Sequence, residues 1–334
     1  MTDIIKDFAP LFLKEIEKSN NILLHCHPSP DPDSVGSALA MKLALESINK
    51  KVTLIQGDNE IPKSFNFPGV NTIEKKSYSE INTNVFDLFI SLDSNTKKMI
   101  TNKQDIVFPE NLKVIVIDHH KSNEGYGHIN CIDSSYPATA QILFDLFKEI
   151  KIELNHDIAL NLFMGIYTDT GGFKYLNNGA STLIVASELA KYAIDYPEII
   201  FKMENSNRKQ KLIFQGLALS SVKEFCNGKV AIASVSNDQL VENNIAREDI
   251  LSSTIANEIK SIIDFDIAIS IVEEEKGISK ISIRTRDSNK YDLSKLAITL
   301  NGGGHKAAAG ARLNMTINDA INKVVEQIKL IYNL

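Results

Sequence analysis

Short runs of consecutive apolar residues alternate with helical patterns along the first half of the chain. The runs are rich in Ile, Val, Leu and Phe, and they predict strands at residues 21–26, 51–55, 86–92 and 113–117. Apolar positions at helical spacing predict helices at about 34–49, 138–150, 156–165 and 181–192. Continuously apolar strands between helices are typical of a parallel sheet that is covered on both faces. The first half therefore predicts an α/β fold, in which ligands bind beyond the carboxyl ends of the strands.

A change of composition separates this region from the last third of the chain. Residues 204–211 are strongly polar, and apolar residues flank them at helical spacing. We interpret residues 193–219 as a largely helical linker between a first domain, residues 1–192, and a second domain, residues 220–334. The second domain is predicted to be a smaller α/β unit, with strands at 229–235, 266–272 and 281–285 and helices at about 253–263 and 317–332.

Composition and charge limit the classes of function. The chain has 334 residues, of which 43% are hydrophobic, so it is long enough for two domains with their own cores. No apolar run follows a basic N-terminal stretch and no stretch of about 18 apolar residues occurs, which argues against secretion and membrane insertion. Three irregularly spaced cysteines are too few for a disulfide framework, and a cytoplasmic location fits them best. A net charge of −6 argues against non-specific binding of long nucleic acid but allows a small anionic substrate.

Carboxylate and imidazole side chains follow three of the predicted strands, and one more acid precedes two glycines after a predicted helix. These residues are His27, Asp31, Asp33, Asp93, Asp118, His119, His120 and Asp169. The carboxyl ends of parallel strands meet at one edge of a sheet, so we expect these side chains to converge. Unpaired carboxylates that converge would repel each other and would be costly to desolvate, unless cations lie among them. The sequence therefore predicts a metal site.

The mixture of ligand types indicates which metal and which chemistry. Divalent ions such as Mn²⁺ accept both carboxylate oxygen and imidazole nitrogen, whereas an oxygen-only set would suit Mg²⁺ or Ca²⁺ better. Asp31 and Asp33 are two residues apart and could each face a different ion, and Asp93 could bridge both ions with its two oxygens. Two metals about 3.5–4 Å apart can activate a water and neutralise charge on a phosphoryl group. We interpret the pattern as that of a two-metal phosphoester hydrolase.

The same residues carry a family resemblance. The segment His27-x-x-x-Asp31-x-Asp33-x-x-Gly36, the strand-end Asp93, Asp118-His119-His120 and Asp169 resemble, in order, the four motifs of the DHH phosphoesterases. The segment from Gly302 to Gly310, with its Gly-Gly-Gly-His start, looks like the signature of the DHHA1 domain that often follows. The resemblance extends over nearly the whole chain. Length and two-domain layout are most similar to the bifunctional oligoribonuclease and PAP phosphatase subfamily, where PAP is 3′-phosphoadenosine 5′-phosphate.

The resemblance implies specific roles at the metal site. One Mn²⁺ would be held by His27, Asp31 and Asp93. The other would be held by Asp33, Asp93, His119 and Asp169. His120 would lie near the scissile phosphate and donate a hydrogen bond or proton to it. Asp118 would orient its neighbours rather than bind an ion.

The resemblance also implies how the second domain contributes. Arg284 matches an arginine that binds a substrate phosphate, and the loop with Gly303, Gly304 and His305 would approach the substrate through backbone N–H groups and imidazole. Arg286 and Arg312 are predicted to lie near the same loop. The active site would lie in a cleft between the domains. Its substrates would be oligonucleotides of two to five nucleotides and PAP, and a homodimer is the default assembly.

Other interpretations of the sequence stay open. The same chemistry would serve a phosphodiesterase for cyclic dinucleotides, a pyrophosphatase or a long-strand exonuclease. A nucleotide sensor without catalysis would use the fold only for binding. Some residues also have structural explanations, because Asp33 or Ser34 could cap the helix that follows, and Asp169 could cap the turn at Gly171.

Overall fold

The chain forms two compact units, each with its own hydrophobic core. The computed structural model describes residues 2–175 and 179–334. The units are Met1–Ser206 and Asn207–Leu334, and the division between them falls inside the polar region that the sequence analysis interpreted as a linker. Among the described residues, no helix combines the length and the hydrophobicity needed to cross a lipid bilayer.

A parallel sheet forms the centre of the first unit. Within the part of the chain that the structure describes, its strands are β1 (Asn21–His25), β2 (Lys51–Ile55), β3 (Leu88–Leu92), β4 (Lys113–Asp118) and β5 (Ile129–Ile132). They lie in the order β2-β1-β3-β4-β5, and every neighbouring pair is parallel. The predicted parallel sheet is confirmed, and β5 is an additional strand. Because β1, β3 and β4 are neighbours, their carboxyl ends meet at one edge.

Helices pack on one face of this sheet. They are α1 (Asp3–Lys18), α2 (Pro32–Ser47), α3 (Thr139–Glu149), α4 (His156–Asp169), α5 (Gly179–Ala190) and α6 (Tyr196–Glu204). Two glycines let α2 and α4 approach closely. A Cβ at Gly36 would lie 2.5 Å from the carbonyl oxygen of Asn161, and a Cβ at Gly165 would lie 2.5 Å from Oδ1 of Asp33. Side chains at these glycines would push Asp33 and α2 away from α4.

The two faces of the sheet are covered by different kinds of structure. Side chains alternate between faces along a strand, so Ile22 and Leu24 contact the helices while Leu23 points to the opposite face. There, Tyr78 and Phe86 bury the sheet from an irregular segment that contains short 3₁₀ turns. Burial of both faces was predicted and is confirmed.

The second unit is built around a mixed sheet. Its strands are β6 (Lys223–Phe225), β7 (Val230–Val235), β8 (Ile267–Glu275), β9 (Ile278–Thr285), β10 (Gly303–Gly304) and β11 (Ala308–Leu313). Their order is β10-β11-β9-β8-β7-β6, in which β7 and β8 are parallel and the other pairs are antiparallel. The helices are α7 (Lys209–Ser220), α8 (Asn237–Glu242), α9 (Ser252–Lys260), α10 (Leu293–Thr299) and α11 (Ile317–Tyr332). α10 and α11 pack on one face, whereas α7 and α9 pack on the other. The predicted second α/β unit is confirmed.

Candidate metal centre

The carboxyl ends of β1, β3 and β4 deliver acidic and imidazole side chains to one place, and the end of α4 adds Asp169. Three groups form in which one ligand atom from each residue lies within 4.8 Å of the others. The groups are His27 with Asp31 and Asp93; Asp33 with His119 and Asp169; and Asp93 with Asp118, His119 and His120. The structure therefore brings together all eight residues that the sequence singled out in the first domain.

Asp93 belongs to two of these three groups. Its backbone has a φ of 56°, in the left-handed region that few residues other than glycine adopt. The Asp93 N–H donates to the carbonyl of Ile117 (3.0 Å), and its own carbonyl accepts from Nε2 of His27 (2.6 Å). Oδ2 lies 3.6 Å from His27 Nε2, whereas Oδ1 lies 3.4 Å from His119 Nε2. The two carboxylate oxygens thus face two different groups of candidate ligands.

Asp33 is fixed by the first turn of α3. Its Oδ2 accepts from the N–H of Thr139 (2.8 Å) and its Oδ1 from the N–H of Ala140 (3.0 Å). The N-cap residue Ala138 has no side chain that could take this role, so a carboxylate from α2 caps α3 instead. Burial, together with the negative charges of Asp93 and Asp169, raises the pKa of Asp33 well above its usual value. A cation among these carboxylates would remove that penalty.

His119 offers a nitrogen that fits a metal better than a hydrogen bond. Its Nε2 lies 3.1 Å from Asp169 Oδ2 and 3.4 Å from Asp93 Oδ1. Nε2 is buried, yet it makes no hydrogen bond of acceptable geometry among the described residues. Burial alone would lower the pKa of His119, but these two carboxylates and Asp33 raise it to about 11. An imidazole nitrogen aimed at several carboxylates suits a divalent cation that accepts both nitrogen and oxygen.

His27 and Asp31 form the other side of the site. Nδ1 of His27 lies 3.2 Å from Asp31 Oδ2, and burial lowers the pKa of His27 less than Asp31 and Asp93 raise it. Oδ1 of Asp31 accepts from the N–H of Ser34 (2.8 Å). Asp31 is therefore the N-cap of α2, which begins at Pro32. The predicted alternatives for this cap, Asp33 and Ser34, are wrong because the helix begins earlier than the hydrophobic pattern suggests.

Asp118 orients His120. Asp118 is fully buried, and its Oδ1 accepts from both the backbone N–H of His120 (3.2 Å) and its ring Nδ1 (2.8 Å). This hydrogen bond raises the pKa of His120. Because Nδ1 is occupied, Nε2 is the ring nitrogen that could act on a substrate. The imidazole is 41% exposed, so a ligand could reach it.

The candidate substrate residues of the second unit lie on or beside strands β9 and β10, which flank β11 in its sheet. Arg284 on β9 pairs with Ala308 on β11, and the Ala308 carbonyl accepts from the N–H of His305 (2.8 Å). A tight turn therefore joins β10 to β11, and it places the exposed residues Gly303, Gly304 and His305 on the other side of β11 from Arg284. Nε of Arg284 donates to Oδ1 of Asn257 (3.1 Å), which fixes the plane of the guanidinium, and burial lowers the pKa of Arg284.

The other two arginines of the predicted phosphate cluster have different partners. Nη1 of Arg286 donates to the carbonyls of Lys260, Ser261 and Ile262, each at 3.2 Å, at the end of α9. Arg312 pairs with Glu274 (3.4 Å) and Glu275 (3.3 Å) and lies opposite Lys280 in the strand register. Arg312 follows Ala311, which borders the start of the loop, because a Cβ at Gly302 would lie 2.7 Å from the Cβ of Ala311. The guanidinium of Arg312 is nevertheless engaged by two glutamates.

Sequence reasoning missed two residues that hold this site together. Thr139 donates through Oγ1 to Asp93 Oδ1 (3.0 Å), and nothing in its surrounding sequence marks it as functional. Asn123 donates through Nδ2 to Asp118 Oδ2 (2.7 Å). The only sequence feature that could have indicated a role for Asn123 is its position three residues after His120.

Comparisons with known proteins identify two domain families in the chain. Residues 21–166 match the N-terminal domain of the DHH family, and residues 227–332 match the DHHA1 domain. A bifunctional oligoribonuclease and PAP phosphatase from Thermus thermophilus is 28% identical over 322 residues, covering 95% of this chain and 91% of that protein. Its namesake from Bacillus subtilis is 26% identical over 309 residues, covering 90% and 92%.

A solved structure gives the same answer for the fold. An exopolyphosphatase-related protein from Bacteroides fragilis superposes with a TM-score of 0.85 at 27% identity, and the match covers 98% of each chain. The two family matches leave residues 1–20, 167–226 and 333–334 outside them, and the candidate ligand Asp169 lies just beyond the first match. The chain belongs to the DHH family of phosphoesterases, with a DHHA1 domain in its second unit.

Proposed function

We propose that this enzyme is a two-metal phosphoesterase that hydrolyses very short oligonucleotides to mononucleotides and converts PAP to AMP. The observation that carries the proposal is the placement of Asp93, whose two oxygens face separate sets of carboxylate and imidazole ligands. A carboxylate in that position can bridge two ions. The activities named for the relatives from Thermus thermophilus and Bacillus subtilis support the choice of substrates.

The proposed metal is Mn²⁺, because the ligand set mixes oxygen with nitrogen. His27, Asp31 and Asp93 would hold one ion. Asp33, Asp93, His119 and Asp169 would hold the other. Such a pair of ions supplies a nucleophile from water at neutral pH and stabilises negative charge on phosphoryl oxygens.

The two proposed reactions share one bond change. Cleavage of a dinucleotide such as pApA to AMP, and of PAP to AMP and phosphate, each breaks a bond between phosphorus and a 3′ oxygen and forms one to the oxygen of water. The leaving 3′ oxygen needs a proton. His120 would supply it from Nε2, since Asp118 holds Nδ1 and favours the protonated ring. A single site can therefore serve both substrates.

The second unit would bind the end of the substrate. Arg284 presents a planar guanidinium whose orientation is set by Asn257, and this group suits the oxygens of a terminal phosphate. The exposed glycines 303 and 304 let the main chain come close to a ligand. One such arginine, on a chain with a net charge of −6, favours short substrates over long strands.

Incubation of the purified protein with Mn²⁺ and pApA, with release of AMP as the readout, tests the proposal. PAP and oligonucleotides of two to fifteen residues are assayed in parallel, and His119→Ala provides the inactive control. We expect AMP from both pApA and PAP, with rates that fall steeply as the chain lengthens. The proposal is wrong if wild-type protein leaves both intact. Cleavage confined to cyclic dinucleotides would make the enzyme a cyclic-dinucleotide phosphodiesterase, and binding without cleavage would make it a sensor.

A further inference from the structure

We propose that Asn123 is a positioning residue of this site, whose side-chain amide fixes both the Asp118–His120 pair and the strained turn at Asp93. The inference rests on the proposed two-metal function and extends it to a residue outside the ligand set. Asn123 lies in the loop after β4, and its side chain is almost fully buried.

The hydrogen bonds of Asn123 join segments that are far apart in sequence. Nδ2 donates one hydrogen to Asp118 Oδ2 (2.7 Å) and the other to the carbonyl of Ser94 (3.1 Å). Oδ1 accepts from the N–H of Gly125 (2.9 Å), and the backbone N–H of Asn123 donates to the carbonyl of His120 (3.1 Å). One amide group therefore ties the end of β4 to the turn that follows β3.

The hydrogen bond from Asn123 to Asp118 acts on His120. Asp118 is fully buried and divides its oxygens between Asn123 and His120. Without the amide, Oδ2 of Asp118 would lack a buried donor, and the carboxylate would rotate to regain one. That rotation would also move Oδ1, which holds the imidazole of His120 in the orientation that presents Nε2.

The hydrogen bond from Asn123 to the carbonyl of Ser94 acts on Asp93. A left-handed conformation costs a residue other than glycine about 1–2 kcal/mol, so it persists only where the surroundings fix it. The carbonyl of Ser94, the next residue, accepts from Asn123 and also from the hydroxyl of Tyr126 (3.1 Å). Tyr126 is in turn hydrogen-bonded to Oγ of Ser91 (2.7 Å). The loop after β4 thus holds the turn that aims the two oxygens of Asp93 at different ligands.

Substitutions distinguish the effects of these two hydrogen bonds. Asn123→Ala removes both of them, whereas Tyr126→Phe removes the other donor to the Ser94 carbonyl and leaves Asp118 unchanged. Asn130→Ala is the matched control, because the side chain of Asn130, on β5, hydrogen-bonds only to the backbone of Gly127 among the described residues. Mn²⁺ affinity is measured by calorimetric titration and kcat and KM on pApA at saturating Mn²⁺, with thermal unfolding to verify folding.

We expect Asn123→Ala to weaken Mn²⁺ binding about 10-fold and to lower kcat about 10- to 100-fold, with KM within about threefold. Tyr126→Phe should weaken Mn²⁺ binding about threefold and leave kcat within about threefold, because it removes only a hydrogen bond that supports the turn at Asp93. Asn130→Ala should match wild type in both. A folded Asn123→Ala protein with wild-type metal affinity and kcat would overturn the inference.

A second variant covers the case in which Asn123→Ala does not fold. Asn123→Asp has the same size but cannot donate to Asp118 or Ser94, so it should lose metal affinity and kcat at least as strongly. Wild-type values for this variant would also overturn the inference. If the wild-type protein binds Mn²⁺ but leaves pApA intact, the proposed function fails, and the metal titrations of the variants still decide the role of Asn123.

Discussion

The candidate metal centre of the first unit and the glycine loop of the second unit are built in opposite ways. At the metal centre, Asp33, Asp93 and Asp118 are buried, and each is held by hydrogen bonds from other segments. At the loop, Gly303 and His305 are exposed. Buried charges need a fixed arrangement, since every misplaced carboxylate costs desolvation energy. Exposed main chain can instead adapt to a ligand.

This difference predicts where substitutions should act. Changes at the metal centre should appear in metal affinity and kcat, because the arrangement exists before any substrate binds. Changes at the loop or at Arg284 should appear in KM or in the stability of the second unit. Each prediction below tests one side of this comparison, starting with the largest effect.

Asp93→Asn should cause the largest loss. The substitution keeps the shape of the side chain but removes the negative charge that would be shared between two ions. We expect kcat on pApA to fall at least about 1,000-fold and Mn²⁺ stoichiometry to decrease, as measured by steady-state kinetics and calorimetric titration. Asp105→Asn, at an exposed position, is the control and should behave like wild type. Retention of full metal content and rate by Asp93→Asn would remove the bridging role.

Arg284→Met should raise KM and leave kcat nearly unchanged. The methionine keeps the aliphatic stem but cannot donate to phosphate oxygens, so we expect KM for pApA to rise about 10- to 100-fold with kcat within about threefold. Arg286→Met is matched to it, because Arg286 lies two residues further along the chain, just past the end of β9. Arg286 donates to the last carbonyls of α9, so its loss should leave KM unchanged. A higher KM for Arg286→Met instead would assign the phosphate to that arginine.

The two glycines of the loop should respond differently to alanine. A Cβ at Gly304, where φ is 140°, would lie 2.5 Å from Cα of Ala309 and 2.6 Å from the carbonyl oxygen of Ala308. A Cβ at Gly303 meets no atom within 4 Å. Gly304→Ala should therefore lower the free energy of unfolding by about 1–3 kcal/mol in urea titration, and Gly303→Ala by less than about 0.5 kcal/mol.

Measurement of Mn²⁺ affinity distinguishes a local effect of these two substitutions from a general loss of folding. Both should keep wild-type Mn²⁺ affinity, because the proposed ligands all belong to the first unit. Weaker Mn²⁺ binding in Gly304→Ala would contradict the separation of the two regions. Equal stability of the two variants would mean that β10 can shift to make room for a side chain.

The sequence was sufficient for the strand-end chemistry of the first unit. Apolar runs that stop at His27, Asp93 and Asp118 indicated a parallel sheet and one convergent edge, and both depend only on local pattern and strand direction. Helix α1 was missed although Ile5 and Phe8 begin a regular apolar face, because Pro10 inside it usually interrupts a helix.

What the sequence could not indicate depends on contacts between distant segments. The amide of Asn123 acts through Ser94, 29 residues away, and the first turn of α3 reaches Asp33 across 106 residues. The partners of Arg312 follow from the register of β11 on β9, which spacing alone does not fix. Residue types showed which side chains carry the chemistry, whereas tertiary contacts determine which ones hold them in place.

Thr139→Val should have a small effect and is the finest test of the candidate metal centre. Valine has the shape of threonine but cannot donate to Asp93 Oδ1, while the backbone bond from residue 139 to Asp33 stays in place. One hydrogen bond to a carboxylate is worth about 1.5–3 kcal/mol at most, and a bound ion would replace part of it. We expect Mn²⁺ affinity to fall about 3- to 10-fold, with kcat within about threefold at saturating Mn²⁺.

Thr139→Ser restores the donor and should restore the affinity. If both variants bind Mn²⁺ like wild type, the ions themselves orient Asp93, and the metal centre is as adaptable as the exposed loop. If only Thr139→Val is impaired, the orientation of Asp93 exists before the ions arrive. That result would give the contrast between the two regions its physical basis, because the metal centre is then preorganised by a side chain from a helix that contributes no metal ligand.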